Sequence, residues 1–276
     1  METDLLTLAI VCPLVFLGGL VDAIAGGGGL ITLPAYLMAG VPAHLAIGTN
    51  KLSSGLGMAM STWRLYRGGF IDMRLALVPT VSAFVGSLAG ARGALLVPES
   101  VFEIILIALL PIAAVAVMRK KTLEPDVHAI SPERQRRLLA LCAFACGAYD
   151  GFYGPGAGTF MLILFSAAAH LAVRDAAGQM KITNFSSGLA AFLMFAMAGE
   201  VDWVLGFAAG AFGIAGHYIG AGLVLKNGSK IVRPIIGVVL LMLLPRRLGT
   251  ILPDSLKSLA DRCFGSFWRQ SVENFP

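Results

Sequence analysis

Charged side chains are scarce in this sequence, and their scarcity argues against a soluble fold. Asp, Glu, Lys and Arg make up 13% of the 276 residues, and hydrophobic residues make up 57%; soluble domains average about 25% and about 45–50%. Apolar runs of about 17 to 24 residues recur along the chain, and each is long enough to cross a hydrocarbon layer about 30 Å thick as a helix. The sequence therefore predicts an integral membrane protein.

Alternation of apolar and polar residues is also lacking, which excludes a strand-based barrel and leaves helices. We expect an all-α polytopic bundle of about 8 helices, or up to 10 if broken or re-entrant segments are counted. Two apolar stretches, 30–66 and 159–198, are too long for one crossing and are interrupted by polar residues, so each predicts a pair of shorter or broken helices. The remaining candidate spans are 5–24, 75–95, 100–118, 138–153, 202–225 and 231–245. The first of these resembles a signal peptide, but Glu2 and Asp4 precede it, so a retained span is favoured.

Catalytic and metal-binding patterns are missing. The four cysteines fit apolar packing, no G-x-S-x-G or H-E-x-x-H motif occurs, and His44, His170 and His217 lack metal-ligand spacing. A structural role is favoured for the three histidines, and proton coupling stays open as the minor alternative. We therefore expect a protein that is not an enzyme and has no cofactor and no metal. An intramembrane aspartyl protease stays open as a minor alternative because of Asp22 and Asp150, although a G-x-G-D motif is absent.

The basic residues indicate topology rather than a nucleic-acid partner. The net charge is +5, but the positive residues cluster in three loops, which the positive-inside rule places in the cytoplasm. The members of the three clusters are Arg64, Arg67 and Arg74; then Arg119, Lys120, Lys121, Arg134, Arg136 and Arg137; then Lys226, Lys230 and Arg233. We expect the lipid bilayer and a small anion as partners, a multi-pass location in the inner (cytoplasmic) membrane, and no nucleic acid. A homo-oligomer stays open.

An internal repeat divides the chain into two halves. G-G-G-G at 26–29 is echoed by G-P-G-A-G at 154–158, T-N-K-L-S-S-G at 49–55 by T-N-F-S-S-G at 183–188, and G-F-I-D at 69–72 by G-E-V-D at 199–202. The loop near 70 is basic and its counterpart near 200 is acidic, so the halves are predicted to be inverted, as in many secondary transporters. The predicted organisation is a first repeat at 1–118, a cytoplasmic linker at 119–137, a second repeat at 138–245 and an amphipathic or disordered tail at 246–276. Gly86 with Gly90, and Gly216 with Gly220, have the small-xxx-small spacing of close helix crossings.

Polar side chains inside the apolar stretches form the candidate site. If the two polar blocks meet near the middle of the membrane, they offer two ammonium groups, two amides and several hydroxyls, which suits an oxyanion. The predicted substrate-binding side chains are Asn50, Lys51, Lys181, Asn184, Thr49, Thr183, Ser53 and Ser186. Gly27, Gly28 and Gly156 join them because helices beginning after the glycine stretches, at Leu30 and Thr159, would point free N–H groups at the ligand. Asp22 and Asp150 are candidates for proton coupling, for offsetting a lysine charge or for accepting hydrogen bonds from a helix N-terminus.

These motifs resemble the sulfite exporter TauE/SafE family of bacterial anion permeases, also called the TSUP family. The resemblance rests on V-D-A-I-A-G-G-G-G-L-I-T-L-P at 21–34, G-T-N-K-L-S-S at 48–54, G-G-F-I-D-M-R at 68–74 and K-I-T-N-F-S-S at 181–187. It implies transport of sulfite, organosulfonates or related small anions by alternating access, with the lysines and asparagines of both blocks as ligand contacts. A passive anion channel is the alternative, because it would share the basic cavity.

Overall fold

The computed structural model describes residues 4–118 and 130–227 of the chain. These residues form nine α-helices and no strand, so the predicted all-α fold is confirmed. The helices are α1 (Leu5–Ala25), α2 (Gly29–Met38), α3 (Ala43–Arg67), α4 (Met73–Leu95), α5 (Glu99–Met118), α6 (Pro132–Phe152), α7 (Ala157–Ala167), α8 (Val173–Met197) and α9 (Trp203–Asn227). The predicted span 231–245, the tail 246–276 and residues 119–129 of the predicted linker lie outside the described residues.

Among the described helices, three are long and apolar enough to cross a membrane by length and composition: Leu5–Ile24, Met73–Leu95 and Trp203–Lys226. Their outer faces are apolar as well. On α4, Leu77, Val81 and Val85 recur every fourth residue and are 66%, 55% and 52% exposed. Residues four apart lie on one face of a helix, and a stripe of this kind is favourable against lipid chains.

Two short helices interrupt the bundle where the sequence predicts broken pairs. Helix α1 ends at Ala25 and is capped by Gly26, whose φ of 75° lies in the left-handed region and whose N–H donates to the carbonyl of Asp22. Helix α2 then runs for only 10 residues before α3 begins. In the second half, Gly154 and Gly156 have φ of 101° and 83°, and the 11-residue α7 precedes α8. Glycine at these positions supplies a backbone conformation that other residues adopt at a cost.

Helix α6 begins at Pro132, whereas the apolar pattern predicts a span from 138. Ser131 caps the helix by accepting a hydrogen bond from the N–H of Arg134, and Pro132 occupies the first turn, where no intrahelical N–H is needed. The polar residues that follow therefore form the first turns of the helix instead of a loop.

The two halves interlock through their long helices. Helix α4 of the first half packs against α6 of the second, and α9 of the second packs against α1 of the first. At these crossings a Cβ on Gly86 would lie 2.3 Å from the carbonyl oxygen of Phe144, and one on Gly216 would lie 2.1 Å from that of Phe16. The predicted close helix crossings at the small-xxx-small glycines are thus confirmed.

The repeats are inverted, as predicted. Gly48 near the start of α3 lies against the carbonyl of Glu200 just beyond the end of α8, and Gly178 near the start of α8 lies against the carbonyl of Phe70 just beyond the end of α3. The equivalent helices α3 and α8 are therefore antiparallel. In these reciprocal contacts, equivalent residues of α3 and α8 are 130 positions apart in the sequence, and the starts of α4 and α9 have the same separation.

This separation corrects the alignment of the polar blocks. Matching the T-N pairs at 49 and 183 requires a separation of 134 residues, whereas the helix packing matches Lys51 with Lys181. The two asparagines, Asn50 and Asn184, consequently do not occupy equivalent positions. A short stretch of identical residues does not establish which positions of the two repeats are equivalent, whereas the packing contacts at both ends of the helices do.

Candidate functional site

Two lysines lie inside the bundle at equivalent positions of the two halves. Lys51 follows the first residue of α3 by eight positions, and Lys181 follows the first residue of α8 by eight. The two residues are 5% and 1% exposed. Because a charged side chain inside a membrane costs about 2.5–3.5 kcal/mol on insertion scales, each lysine requires compensating partners.

Each lysine is paired with an aspartate of the other half. The Nζ of Lys51 donates to Oδ1 of Asp150 over 2.7 Å. The Nζ of Lys181 lies 3.2 Å from Oδ2 of Asp22 and also donates to the backbone carbonyl of Asp22. The interlocked packing of the repeats brings these reciprocal pairs together, and each buried charge is thereby neutralised across the interface between halves.

The Lys51 pair is completed by a hydroxyl and a glycine. Ser187 donates its hydroxyl to Oδ2 of Asp150 over 2.7 Å. A Cβ at Gly154 would lie 3.0 Å from the Nζ of Lys51, so the absence of a side chain there leaves room for the ammonium group. Both carboxylate oxygens of Asp150 therefore accept a hydrogen bond from a fixed donor.

The Lys181 pair has different neighbours. Oδ1 of Asp22 accepts from the backbone N–H of Gly28 over 3.2 Å, just before α2 begins. Oδ2 also lies 3.2 Å from Nε2 of His217 on α9. Two roles considered for this aspartate, offsetting a lysine and accepting from a helix N-terminus, are thus both realised by Asp22.

The glycine stretches of the two halves pack directly on each other. A Cβ on Gly26 would lie 2.7 Å from the carbonyl carbon of Gly158, and one on Gly29 would lie 3.0 Å from the Cα of Pro155. Helices α2 and α7 begin at Gly29 and Ala157, slightly earlier than predicted. Both helix N-termini, with their positive dipole ends, therefore lie where the halves meet, which favours an anion. The N–H groups of Leu30, Ile31 and Ala157 in these first turns donate to nearby backbone carbonyls.

Several predicted polar side chains are buried beside these pairs. Asn50 is 7% exposed and Asn184 is 5% exposed. The Nδ2 of Asn184 lies 3.4 Å from the sulfur of Met58, and Ser53 accepts from the hydroxyl of Tyr36 over 2.7 Å. Among the described residues, Oδ1 of Asn50 and Oγ1 of Thr183 have no hydrogen-bond partner. Unpartnered buried polar atoms are unfavourable, so they are suitable contacts for a ligand.

Two predicted side chains serve helix packing away from the ion pairs. Thr49 accepts from the backbone N–H of Asp202 over 2.9 Å, and Ser186 donates to the carbonyl of Thr80 over 3.1 Å. Their hydroxyls join α3 to the turn before α9 and α8 to α4. Substrate contact by Thr49 and Ser186 stays a prediction, as it does for the other site residues.

Sequence reasoning did not assign His217 to the site. The residue is 1% exposed and contacts the aspartate of the first repeat. Its equivalent in the first half is Ser87, so repeat comparison gives no signal. The small-xxx-small pair Gly216 and Gly220 around it predicts a close helix crossing but does not identify the partner helix. Only the packing of α9 against α1 reveals the contact.

His44, by contrast, has the structural surroundings that the sequence favours. Its Nδ1 forms an ion pair with Glu99, its Nε2 lies 3.0 Å from the carbonyl oxygen of Ala94, and its ring stacks on Phe102 with 4.3 Å between centroids. These contacts join the start of α3 to the end of α4 and the start of α5. Within the described ranges, no group of three or more His, Cys, Asp and Glu side chains could hold a metal ion.

Two interlocked inverted halves of membrane helices, with buried charge pairs exchanged between them, define the class of the protein: it is a polytopic helical membrane transporter. The chain belongs to the TauE/SafE sulfite exporter family, whose model matches residues 11–245.

Similar curated proteins carry names consistent with this class. A "Probable membrane transporter protein" of Haemophilus influenzae is 33% identical over 88% of this chain and 95% of its own length. The "Probable membrane transporter protein YfcA" of Escherichia coli K12 is 34% identical over 85% of this chain and 87% of its own length. YdhB of Bacillus subtilis, named in the same way, is 24% identical over 79% and 92%. No solved structure gives a significant match.

Proposed function

We propose that this chain is a secondary transporter of the cytoplasmic membrane that carries small sulfur oxyanions, such as sulfite or organosulfonates, by alternating access. The observation that carries the proposal is the reciprocal exchange of ion pairs, Lys51 with Asp150 and Lys181 with Asp22. Each pair joins the two inverted halves, so a movement of one half against the other changes both pairs together. The family name supports the substrate class.

Electrostatics then determines how an anion binds. Two lysines and two aspartates carry no net charge, so the resting site does not attract an anion strongly. An anion can bind a lysine only when the carboxylate paired with that lysine is protonated or moves away. Otherwise the anion and the carboxylate would repel each other beside the same buried ammonium group. We assign four additional contacts to the substrate: the N-termini of α2 and α7, the side-chain oxygen of Asn50 and the hydroxyl of Thr183.

The alternatives use the same side chains differently. An aspartyl protease needs two carboxylates acting together on one water molecule, whereas Asp22 and Asp150 are each paired with a different lysine. A passive channel needs a continuous path, which the direct packing of Gly26 on Gly158 does not favour. Counterflow of labelled anion driven by unlabelled anion is the property that separates a carrier from a channel.

The first test measures thermal unfolding of the purified full chain with sulfite, sulfate, thiosulfate, sulfoacetate, acetate and chloride. We expect one or more sulfur oxyanions to raise the unfolding temperature, because a ligand that binds only the native state stabilises it; an excess of 100 times the dissociation constant contributes about 2.7 kcal/mol. Lys51→Ala should abolish this response, whereas the same change at the exposed Lys226 should preserve it.

Loss of a lysine also leaves a buried carboxylate alone, and breaking such a pair costs about 3–5 kcal/mol. The double variant Lys51→Ala with Asp150→Asn removes that lone charge. We expect the double variant to recover stability without recovering the response to anions. An equal anion response in wild type, Lys51→Ala and Lys181→Ala would contradict the assigned site.

A further inference from the structure

His217 forms a three-residue cluster with Asp22 and Lys181 that has no equivalent in the other half. The imidazole is 1% exposed, and its Nε2 lies 3.2 Å from the same Asp22 oxygen that faces the ammonium of Lys181. At the position equivalent to His217 the first half has Ser87, whose hydroxyl donates to the backbone carbonyl of Ser187. One of the two lysine–aspartate pairs therefore has a histidine neighbour, whereas the equivalent side chain of the other half binds a backbone carbonyl.

The hydrogen bonds of His217 require an additional proton. Its Nδ1 lies 3.0 Å from the carbonyl oxygen of Gly213, which can only accept, so Nδ1 carries a hydrogen. In a neutral imidazole the second nitrogen, Nε2, is then an acceptor, and it faces a carboxylate oxygen that is also an acceptor. Two acceptors 3.2 Å apart repel unless a proton lies between them, on the imidazole or on the carboxyl group.

The surroundings of the imidazole are shaped for it. A Cβ at Gly57 on α3 would lie 2.3 Å from Nδ1 of His217, and one at Gly19 on α1 would lie 2.7 Å from it. The position equivalent to Gly57 in the other half is Ser187, which carries a side chain and binds Asp150 instead. The pocket for the ring thus exists in one half of the molecule alone.

A small cavity adjoins the cluster. Its volume is about 20 Å³, and its lining includes Asp22, Thr32, Ser54 and His217; a water molecule needs about 10–15 Å³ measured in this way. The hydroxyl of Thr32, a residue only 3% exposed, has no hydrogen-bond partner among the described residues. A water molecule in this cavity would satisfy Thr32 and give the cluster a route for proton exchange.

We propose that Asp22 and His217 form a single proton-binding site, and that the proton they share is the coupling ion of anion transport. This inference rests on the proposed function. The charged groups facing His217 are Asp22 on α1 and, behind it, Lys181 on α8. Helices α2 and α3 present only uncharged residues to the imidazole, namely Thr32, Ser54 and Gly57. With the proton bound, lysine, aspartate and histidine together carry one positive charge; without it they carry none. Proton uptake therefore prepares the Lys181 side for an anion, and anion binding should strengthen as pH falls.

The test uses the full chain in liposomes with a pH-sensitive dye inside and thiosulfate outside, because thiosulfate takes up no proton near neutral pH. Wild type should move protons together with thiosulfate, and thiosulfate uptake should rise as pH falls, because the proposed site binds its proton before the anion. His217→Gln should reduce protons moved per thiosulfate at least about tenfold and flatten this dependence. His44→Gln, which changes another buried histidine paired with a carboxylate, should preserve both.

Several outcomes separate the two proposals. Wild type that shows no counterflow of any sulfur oxyanion in the thermal-unfolding panel overturns the proposed function and this inference with it. Counterflow without proton movement, or His217→Gln moving as many protons per thiosulfate as wild type, overturns the inference alone. Should His217→Gln not fold, Thr32→Val removes the cavity hydroxyl at nearly constant volume, and it should lower the proton signal in the same direction; an unchanged signal contradicts the proposal.

Discussion

At the scale of residues, the site is organised by charges that neutralise each other across the repeat interface. Sequence patterns place Lys51, Lys181, Asp22 and Asp150 in apolar segments, and the cost of burying them indicates a function. Sequence alone does not tell which lysine meets which aspartate, because the pairing depends on α1 packing against α9 and α4 against α6. The structure shows that the lysine and the aspartate of each pair come from different halves.

One prediction at this scale concerns the glycine that faces His217. Gly57→Ala places a Cβ 2.3 Å from Nδ1 of the imidazole, so the ring must move by about 1 Å to reach ordinary contact distance. We expect fewer protons moved per thiosulfate, as in His217→Gln, and a loss of about 1–3 kcal/mol of stability from overpacking.

Gly55 provides the matched control for Gly57, since it lies in the same helix and a Cβ there would meet nothing within 4 Å. Gly55→Ala should keep the proton signal and change stability by no more than about 1 kcal/mol, in the stabilising direction. If both variants move as many protons per thiosulfate as wild type, the position in which Gly57 and Gly19 hold the His217 ring is irrelevant to coupling.

At the scale of elements, most helices could be predicted from length and hydropathy, and the connections could not. The stretches 30–66 and 159–198 each contain two helices, as predicted, but only the first helix of each pair is short. The breaks fall at 39–42 and 168–172, and the polar blocks lie within the unbroken 25-residue helices α3 and α8. The start of α6 was predicted six residues late, because hydropathy does not register a polar first turn capped by Ser131. The contact of His217 with Asp22 could not be predicted, since no local pattern identifies α1 as the helix that packs against α9.

A second prediction concerns the turns that close each half onto the other. A Cβ at Gly48 would lie 1.8 Å from the carbonyl oxygen of Glu200, and one at Gly178 would lie 1.7 Å from that of Phe70. These contacts are with backbone, so no side chain can rotate away and the helices must separate. Gly48→Ala and Gly178→Ala should each lower stability by about 3 kcal/mol or more, at the upper end of the range for overpacking.

Gly93→Ala on α4 is the control for these two variants, because its Cβ would make an ordinary contact of 3.7 Å with the ring of Phe152. Thermal unfolding in one detergent compares the three proteins. Equal destabilisation at Gly48 and Gly178 is expected from the symmetry of the repeats, whereas unfolding temperatures within the range of Gly93→Ala would show that the α3–α8 contact is looser than described.

At the scale of the whole molecule, inversion explains why the two halves can share one sequence plan and still differ in their loops. The basic residues Arg64, Arg67 and Arg74 surround the turn between α3 and α4, while Glu200 and Asp202 lie in the equivalent turn between α8 and α9. The charge of a loop follows the membrane face on which it lies. Antiparallel α3 and α8 place these turns at opposite ends of the bundle.

The last prediction follows from this inversion. Phe70→Cys and Glu200→Cys place single thiols in the two equivalent turns, in a background from which Cys12, Cys142, Cys146 and Cys263 have been removed. A membrane-impermeant maleimide added to intact cells should label the cysteine at 200, on the outer face, and should label the cysteine at 70 only after the membrane is opened. Both thiols become equally reactive in detergent, which controls for burial of either turn. Labelling of both cysteines from the same side would mean that the repeats are parallel in the membrane, and it would remove the symmetry on which alternating access between the two lysine–aspartate pairs depends.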